Sequence, residues 1–312
     1  MNELELIQLL TRSLPTNDSV IVGAGDDCAV VDLKIPGHWL LFKTDAVVEG
    51  VHFTREDPPQ QIGHKSLARC LSDIAAMAGT PTAALITLAL PREFEPGFVE
   101  GIYAGISALA RRHQVAIAGG ETTTNPERIL ISVSLIGTVA SEKCVLRSGS
   151  KAGDAIFVSG ELGGSRAGKH LVFEPRLAEA RWLAEHFHVH AMIDISDGLA
   201  SDLRHLLRAS GLGAELRAEA VPISRAARLQ AKHESSRKPP LLAALSDGED
   251  FELLFTVASK DAVRVLDGWK EQFPKLRLTC LGKITPEPGL KIRDKTGVRS
   301  LTAHGYIHFQ ES

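Results

Sequence analysis

Five short acidic turns, each with a glycine and each beside an apolar segment, constrain the fold of this 312-residue chain more than any other feature. They lie at residues 25–27, 45–50, 119–121, 194–198 and 247–250. Each turn alone also fits a solvated turn or a helix cap. Neighbouring carboxylates repel one another unless a cation lies between them, and hard oxygen ligands of this kind suit Mg²⁺ beside substrate phosphates. The five together therefore predict a fold that gathers them around metal ions and a polyphosphate.

Composition narrows the class of protein. The formal net charge of −3 offers no basic surface for nucleic acid or an anionic membrane. No apolar run reaches the roughly 20 residues that span a membrane. The four cysteines are far apart in sequence and form no Cys-x-x-Cys pair, which indicates reduced thiols. We therefore predict a cytoplasmic enzyme that binds neither nucleic acid nor membrane.

Apolar periodicity predicts alternating strands and helices. Strands are predicted at 39–45, 83–90, 129–139 and 155–159, and a helix at 60–79, where apolar residues recur every three or four positions. Residues 141–154 are polar and glycine-rich between two apolar strands. This places a boundary between a domain of residues 1–140 and a domain of residues 141–312.

A glycine-rich segment at residues 163–169, here called the glycine loop, fits the pattern G-x-x-x-x-G-K. A phosphate-binding P-loop is one hypothesis. However, His170 occupies the position at which Ser or Thr would contact Mg²⁺. The alternative is a turn that presents backbone N–H groups to an anion without being a P-loop.

Several side chains are candidates for the site, each with a plainer interpretation. Asp45 is predicted to end a strand, as a metal ligand or a turn cap. Asp73 follows Arg69 by four residues, so a surface ion pair between them competes with a ligand role. His52 is a phosphate or substrate contact, or simply packs beside its neighbours. Arg147 lies in the predicted linker, where an arginine can reach a phosphate.

The segment 192–203 brings three oxygen side chains close together. Asp194, Ser196 and Asp197 alternate along an extended stretch that turns at Gly198 into a predicted helix. One of them is enough to cap that helix. Three are more than a cap requires, which favours a ligand-binding turn.

The motifs along the chain are Gly-Asp-Asp-Cys-Ala at 25–29, Lys-Thr-Asp at 43–45, Glu-Gly-Val-His-Phe at 49–53, the helical run at 65–79, Gly-Gly-Glu-Thr-Thr at 119–123, Arg-Ser-Gly-Ser-Lys-Ala-Gly-Asp at 147–154, Ile-Asp-Ile-Ser-Asp-Gly-Leu at 193–199 and Ser-Asp-Gly-Glu-Asp-Phe-Glu-Leu at 246–253. In order and spacing, they resemble the thiamine-monophosphate kinase family of the aminoimidazole-ribonucleotide-synthetase-like superfamily.

The resemblance implies an N-terminal α+β domain whose sheet pairs with that of a second subunit in a homodimer. It implies a C-terminal α/β domain, with ATP in the cleft between the two. The implied reaction is ATP + thiamine monophosphate → ADP + thiamine diphosphate, the last step of thiamine diphosphate biosynthesis. The phosphoryl group would pass by direct in-line transfer to a substrate phosphate oxygen, so positioning and charge neutralisation would supply the catalysis.

Site residues follow from the same resemblance, position by position. The implied Mg²⁺ ligands are Asp27, Thr44, Asp45, Asp73, Glu121, Asp194 and Asp197, and those assigned to catalysis are Asp45, Asp73 and Asp194. The implied ATP contacts are Tyr103, Gly120, Glu121, Arg147 and Ser196. The implied contacts with thiamine monophosphate are His52, Glu249 and Tyr306. Several Mg²⁺ ions are expected, and K⁺ is a further candidate.

Three positions depart from the family pattern. Lys43 stands where the family often has Ser, Glu121 replaces the usual Asp, and Asp247 replaces a common Gly. Within the same superfamily, the alternatives are a selenophosphate synthetase, the hydrogenase-maturation dehydratase and the purine-pathway cyclo-ligase. A non-catalytic nucleotide-binding protein on the same scaffold is the alternative from another class.

Overall fold

The computed structural model describes residues 3–12, 14–232, 238–303 and 305. The first half of the chain forms one sheet and three helices. The strands are β1 (Val20–Val22), β2 (Ala29–Val31), β3 (His38–Val48), β4 (Thr80–Leu90), β5 (Ala116–Thr124) and β6 (Leu130–Ala140). The helices are α1 (Glu3–Thr11), α2 (Pro59–Ala76) and α3 (Pro96–Arg112). The sheet order is β1-β2-β3-β6-β4-β5, and only β4 and β5 run parallel.

The second half forms a seven-stranded mixed sheet with helices packed on it. The strands are β7 (Ala155–Ser159), β8 (Val189–Asp194), β9 (Gly213–Arg217), β10 (Leu253–Val257), β11 (Leu278–Thr285), β12 (Gly289–Asp294) and β13 (Gly297–Ser300). The helices are α4 (Lys169–Val172), α5 (Leu177–His186), α6 (Leu199–Ser210), α7 (Arg225–Gln230), α8 (Pro240–Ser246) and α9 (Ala262–Gln272). The sheet order is β13-β12-β9-β11-β7-β10-β8. The expected two-domain fold is confirmed: the first domain is α+β with a mostly antiparallel sheet, and the second combines a mixed sheet with helices.

Helix α2 lies at the centre of the molecule. It contacts β3 and β6 of the first sheet and also α5 and β8 of the second half. The helix packs unusually close to α3, because a Cβ atom at Gly63 would lie 1.9 Å from the carbonyl oxygen of Ile102. Glycine is therefore required at this contact.

One hydrophobic core continues from the first half into the second. It joins Leu71 and Ile74 of α2 with Phe157 and Phe255 of the second sheet, all of them fully buried. A second core, under α6, belongs to the second half alone. The boundary predicted after residue 140 falls between β6 and β7 and stays a prediction, because the shared core crosses it.

Two of the acidic segments predicted as turns are partly strand. Asp45 lies within β3, which continues to Val48 while pairing residue by residue with β6. Glu121 lies within β5, which runs through Gly119 and Gly120. Hydrogen bonds from neighbouring strands override the local turn composition at both places.

Apolar residues within 224–245 also fit a single helix, but the structure has two short helices there, α7 and α8. No helix in the described ranges is long and apolar enough to cross a membrane.

Candidate active site

Three of the predicted ligands converge in what we call the acidic triad. Asp27 comes from the turn before β2, Asp73 from the last turn of α2, and Asp194 from the end of β8. One carboxylate oxygen of each lies within 4.8 Å of the others. All three side chains belong to buried residues. The fold thus brings together carboxylates that are far apart in the sequence.

The triad is electrostatically unfavourable without a cation. Burial, together with the charge of Asp27, raises the pKa of Asp194 to about 6. Burial also raises the pKa of Asp73 well above its usual range, with Lys43 opposing and Asp194 adding to the effect. Both shifts report carboxylates that are crowded and poorly solvated. A bound cation would relieve this crowding.

One carboxylate oxygen of the triad has no hydrogen-bond partner in the part of the chain that the structure describes. Oδ1 of Asp27 accepts a 2.6 Å hydrogen bond from Nη2 of Arg147, whereas its buried Oδ2 has none from the described residues. Oδ2 of Asp194 accepts a 2.5 Å bond from the hydroxyl of Ser72. A buried oxygen without a partner costs about 1–3 kcal/mol or more. Three converging carboxylates with one such oxygen fit Mg²⁺, which prefers oxygen ligands.

Two cationic side chains contact the triad, Arg147 at Asp27 and Lys43 at Asp73. Nζ of Lys43 donates to Oδ1 of Asp73 at 2.8 Å. Burial lowers the pKa of Lys43, but Asp73 and Asp45 outweigh this effect and the net pKa is raised, so the ammonium stays charged. The backbone N–H of Arg147 donates to Oδ2 of Asp26 at 3.1 Å, which ties the predicted linker to the first acidic turn.

Asp45 has a different partner from the triad. Arg69 donates to its two carboxylate oxygens at 2.8 and 3.1 Å. The surface ion pair predicted between Arg69 and Asp73 is therefore wrong, because Lys43 holds Asp73 instead. Thr44 projects from the opposite, exposed face of β3, where its hydroxyl accepts a bond from Ser134 at 3.2 Å. Alternation along a strand separates it from its two neighbours.

A small cavity, which we call the Glu249 cavity, is lined in part by the residues that follow Asp194 of the triad in the sequence. Its volume is about 60 Å³, and its lining residues are Val51, His52, Arg69, Arg166, Ser196, Asp197, Asp247 and Glu249. Three predicted site residues from different segments, His52, Ser196 and Glu249, meet here. Ser196 and Asp197 directly follow the strand that ends at Asp194, so the cavity and the triad share one loop.

Glu249 is held by basic side chains in a left-handed backbone conformation, with φ of 55°. Its Oε1 accepts a 2.5 Å hydrogen bond from Nζ of the fully buried Lys65. Arg166 Nε lies 3.4 Å from its other oxygen. Lys65 also donates to the carbonyl oxygen of His52 at 2.7 Å. Burial lowers the pKa of Lys65 to about 8, although Glu249 opposes the shift.

Sequence reasoning missed Lys65 and the place of Arg69 in this region, although a signal was present. Lys65, Arg69 and Asp73 are spaced by four residues, which places them on one face of α2. The same helix carries an apolar stripe at neighbouring positions. Charged residues that recur along a buried helix are rarely found without partners or a ligand.

His52 is predicted to stay uncharged at neutral and mildly acidic pH. Its Nδ1 accepts a 3.1 Å hydrogen bond from the N–H of Val48, and burial, aided by Arg69 and Lys65, lowers its pKa to about 4. Because the folded pKa lies below the unfolded value of about 6.5, folding favours the neutral ring. The stability contribution of His52 is thus complete above pH 6.5 and is lost as the pH falls towards 4.

The measurement is a pH titration of the imidazole nitrogens by NMR, assigned with His52→Gln. We expect a midpoint near pH 4. A midpoint at 6 or above would contradict the buried, neutral ring.

The glycine loop is not a P-loop. The N–H of Gly163 donates to both oxygens of Asp250 at 3.0 Å, and the N–H of Gly164 donates to Asp247 at 2.9 Å. Carboxylates of the last acidic turn therefore occupy the N–H groups that an anion would need. Asp247 and Asp250 therefore do not belong to the acidic triad, and the gathering of all five turns around one site stays a prediction.

The lysine of the glycine loop is engaged as well. Nζ of Lys169 donates to Oε1 of Glu252 at 2.8 Å. The loop itself contains a single 3₁₀ turn, Ser165–Ala167, and it is followed only by the four-residue helix α4. A P-loop is instead followed by a long helix.

The remaining predicted residues lie elsewhere in the fold. Tyr103 is half-buried on α3 against the first core. A Cβ atom at Gly120 would lie 1.8 Å from the carbonyl oxygen of Ile86, so only glycine fits β5 at this point. Glu121 is exposed on β5 and accepts a 3.0 Å bond from the N–H of Thr122. Tyr306 lies outside the described residues.

Comparison with known proteins matches this arrangement to one family. Residues 25–139 match the AIR synthase related protein N-terminal domain, and residues 133–295 match the C-terminal domain of that name. A thiamine-monophosphate kinase of Rhodopirellula baltica is 42% identical over 306 residues, covering 96% of this chain and 93% of the relative.

Solved structures agree with the sequence relatives. One structure, described as AaThiL complexed with AMPPCP and TMP, is 31% identical to this chain with a TM-score of 0.83. The match covers 99% of this chain and 97% of that one. A thiamine-monophosphate kinase from Stenotrophomonas maltophilia K279a is 31% identical, with a TM-score of 0.73, and the match covers 91% of this chain and 93% of that one. The chain belongs to the thiamine-monophosphate kinase family.

Proposed function

We propose that this protein is an ATP-dependent kinase that converts thiamine monophosphate to thiamine diphosphate. The relatives bear that name, and the structural neighbour binds AMPPCP, an analogue of ATP, together with TMP. The observation that carries the proposal is the acidic triad with its unpartnered buried oxygen on Asp27. Such a site accepts a metal-bound polyphosphate.

Mg²⁺ fits the triad by charge and by ligand type. Asp27, Asp73 and Asp194 would hold it, and Asp197 lies on the loop that follows β8. A bound Mg²⁺ supplies charge neutralisation for the phosphates in phosphoryl transfer. The ligand roles of Thr44, Asp45 and Glu121 and the binding of K⁺ stay predictions.

The protein's own groups would position the two phosphates. Arg147 holds Asp27, and its buried Nε has no hydrogen-bond acceptor among the described residues. This supports the proposed contact of Arg147 with ATP. The acceptor oxygen of thiamine monophosphate is already ionised at pH 7, so direct in-line transfer needs no general base. The Glu249 cavity, with Arg69 and Arg166 in its wall, is where we place the anionic substrate.

The homodimer is proposed from the outer face of the first sheet. Phe42 on β3 and Leu85 on β4 are 49% and 50% exposed on that face. Large apolar side chains on a sheet surface favour burial against another protein surface. We propose that a second copy of the chain covers this face of the sheet. The cytoplasmic location stays a prediction.

The test is ADP release from ATP and Mg²⁺ with thiamine monophosphate, alongside free thiamine, with the product identified by mass. We expect thiamine diphosphate from the monophosphate only. ADP release without formation of thiamine diphosphate would contradict the assignment of thiamine monophosphate as the substrate. Bound ATP without turnover would indicate the non-catalytic alternative.

A further inference from the structure

Lys43 places a permanent positive charge inside the acidic site. It lies on β3, and its ammonium reaches across to Asp73 on α2 at 2.8 Å. The Lys43 side chain is 23% exposed and that of Asp73 is 10% exposed, so water screens this pair only weakly. The contact is therefore part of the site's architecture and not a surface ion pair.

The charges around the triad show what the ammonium does. The carboxylates bring three negative charges, and only two cations, Lys43 on Asp73 and Arg147 on Asp27, lie within hydrogen-bond distance of them in the described ranges. The described partner of Asp194 is the neutral hydroxyl of Ser72. One net negative charge is left on this set of groups. That is enough to attract one divalent ion but a poor basis for two.

The ammonium also occupies a coordination position. A lysine ammonium is a compact point charge that binds one oxygen at a time. While it donates to Oδ1 of Asp73, that oxygen has a donor where a metal ion would otherwise bind. Mg²⁺ needs oxygens at about 2.0–2.1 Å in a near-octahedral arrangement, so it does not share this position with Nζ.

We propose that the ammonium of Lys43 takes the place of one divalent cation at the acidic triad. The chain then holds one metal ion fewer there than the same three carboxylates would hold without the lysine. The inference rests on the proposed function only in taking the triad as a metal site.

The test counts bound Mn²⁺ per chain by the EPR signal of the free ion, without ATP or thiamine monophosphate. Wild type is compared with Lys43→Ser, Lys43→Arg and the control Lys34→Ser. Lys34 forms a similar lysine–aspartate pair with Asp32 at 3.0 Å, but its side chain is 73% exposed. We expect one additional Mn²⁺ in Lys43→Ser and wild-type counts in the other two variants.

Equal counts in wild type and Lys43→Ser at saturating Mn²⁺ would overturn the inference, as would an additional ion in Lys43→Arg. If Lys43→Ser is unfolded by circular dichroism, Lys43→Met, which retains an unbranched apolar side chain, is counted instead. The readout is independent of catalysis. If the wild-type protein is inactive as a kinase but Lys43→Ser binds one more Mn²⁺, the inference is supported and the kinase proposal fails. If the wild-type protein is active but the two Mn²⁺ counts are equal, the kinase proposal is supported and the inference fails.

Discussion

Asp27→Asn is expected to lower kcat/KM for phosphorylation of thiamine monophosphate by about 10³-fold or more, the scale of losing a charged group in phosphoryl transfer. The amide has nearly the same size as the carboxylate, so the buried turn keeps its packing. It removes one of three negative charges from the triad and leaves Arg147 without its anionic partner. Both changes weaken the binding of a metal-bound phosphate.

The measurement is steady-state kinetics with Mg²⁺ held in excess, accompanied by a Mn²⁺ binding titration. Asp32→Asn is the matched control, because Asp32 is a carboxylate of the same segment that pairs with the exposed Lys34 outside the triad. The control should have wild-type kinetics. An Asp27→Asn enzyme within tenfold of wild type would remove Asp27 from the metal site.

Glu252→Gln is expected to lower the free energy of unfolding by about 3 kcal/mol, at the lower end for breaking a buried ion pair. The Glu252 side chain is 1% exposed and accepts hydrogen bonds from Lys169, from Arg176 and from the hydroxyl of Ser159, all at 2.7–2.8 Å. The amide leaves Lys169 and Arg176 without their counter-charge, and the Arg176 side chain is only 16% exposed.

The same carboxylate predicts a dependence on acid. Burial acts to raise the pKa of Glu252, but Lys169 and Arg176 outweigh it and lower the pKa to about 2. A folded pKa below the unfolded value of about 4.3 means that the stabilisation is complete above that value. It is lost as the pH falls from there towards 2, and Glu252→Gln should lose this part of the acid dependence.

Urea unfolding followed by circular dichroism at pH 7 and pH 3 checks both statements. Glu215→Gln is the matched control, since Glu215 pairs with Arg293 at 2.8 Å on the surface. It should unfold like wild type. Equal unfolding midpoints for Glu252→Gln and wild type would show that the buried ion pairs contribute nothing to stability.

The parts of the site that follow local rules were predictable. The apolar spacing of 60–79 predicted α2, and the turns around Asp27 and Asp194 were identified because glycine and carboxylates stand beside apolar strands. What was missed depends on contacts between distant segments. Lys43 meets Asp73 across 30 residues and Arg69 meets Asp45 across 24. Partner choice among several lysines, arginines and aspartates is decided by packing, which spacing alone does not reveal.

The glycine loop shows the same limit from the opposite side. Its sequence pattern indicated phosphate binding, and its N–H groups do bind anions. Those anions are the protein's own Asp250 and Asp247, which follow Gly163 and Gly164 by 87 and 83 residues. A local motif specifies the kind of ligand that it accepts, but not whether the fold has already supplied one.

Helix α2 has a mechanical consequence for the reaction. Its polar face carries Lys65 and Arg69 at the Glu249 cavity and Asp73 at the triad. Because the rise is about 1.5 Å per residue, eight residues separate the two ends of this face by about 12 Å. One rigid element thus carries both the basic side chains at the proposed substrate cavity and one carboxylate of the proposed metal site. A shift of α2 would therefore displace both groups of side chains together, whereas Asp194 and Glu249, which complete the two places, belong to the second half of the chain and do not share this rigid link.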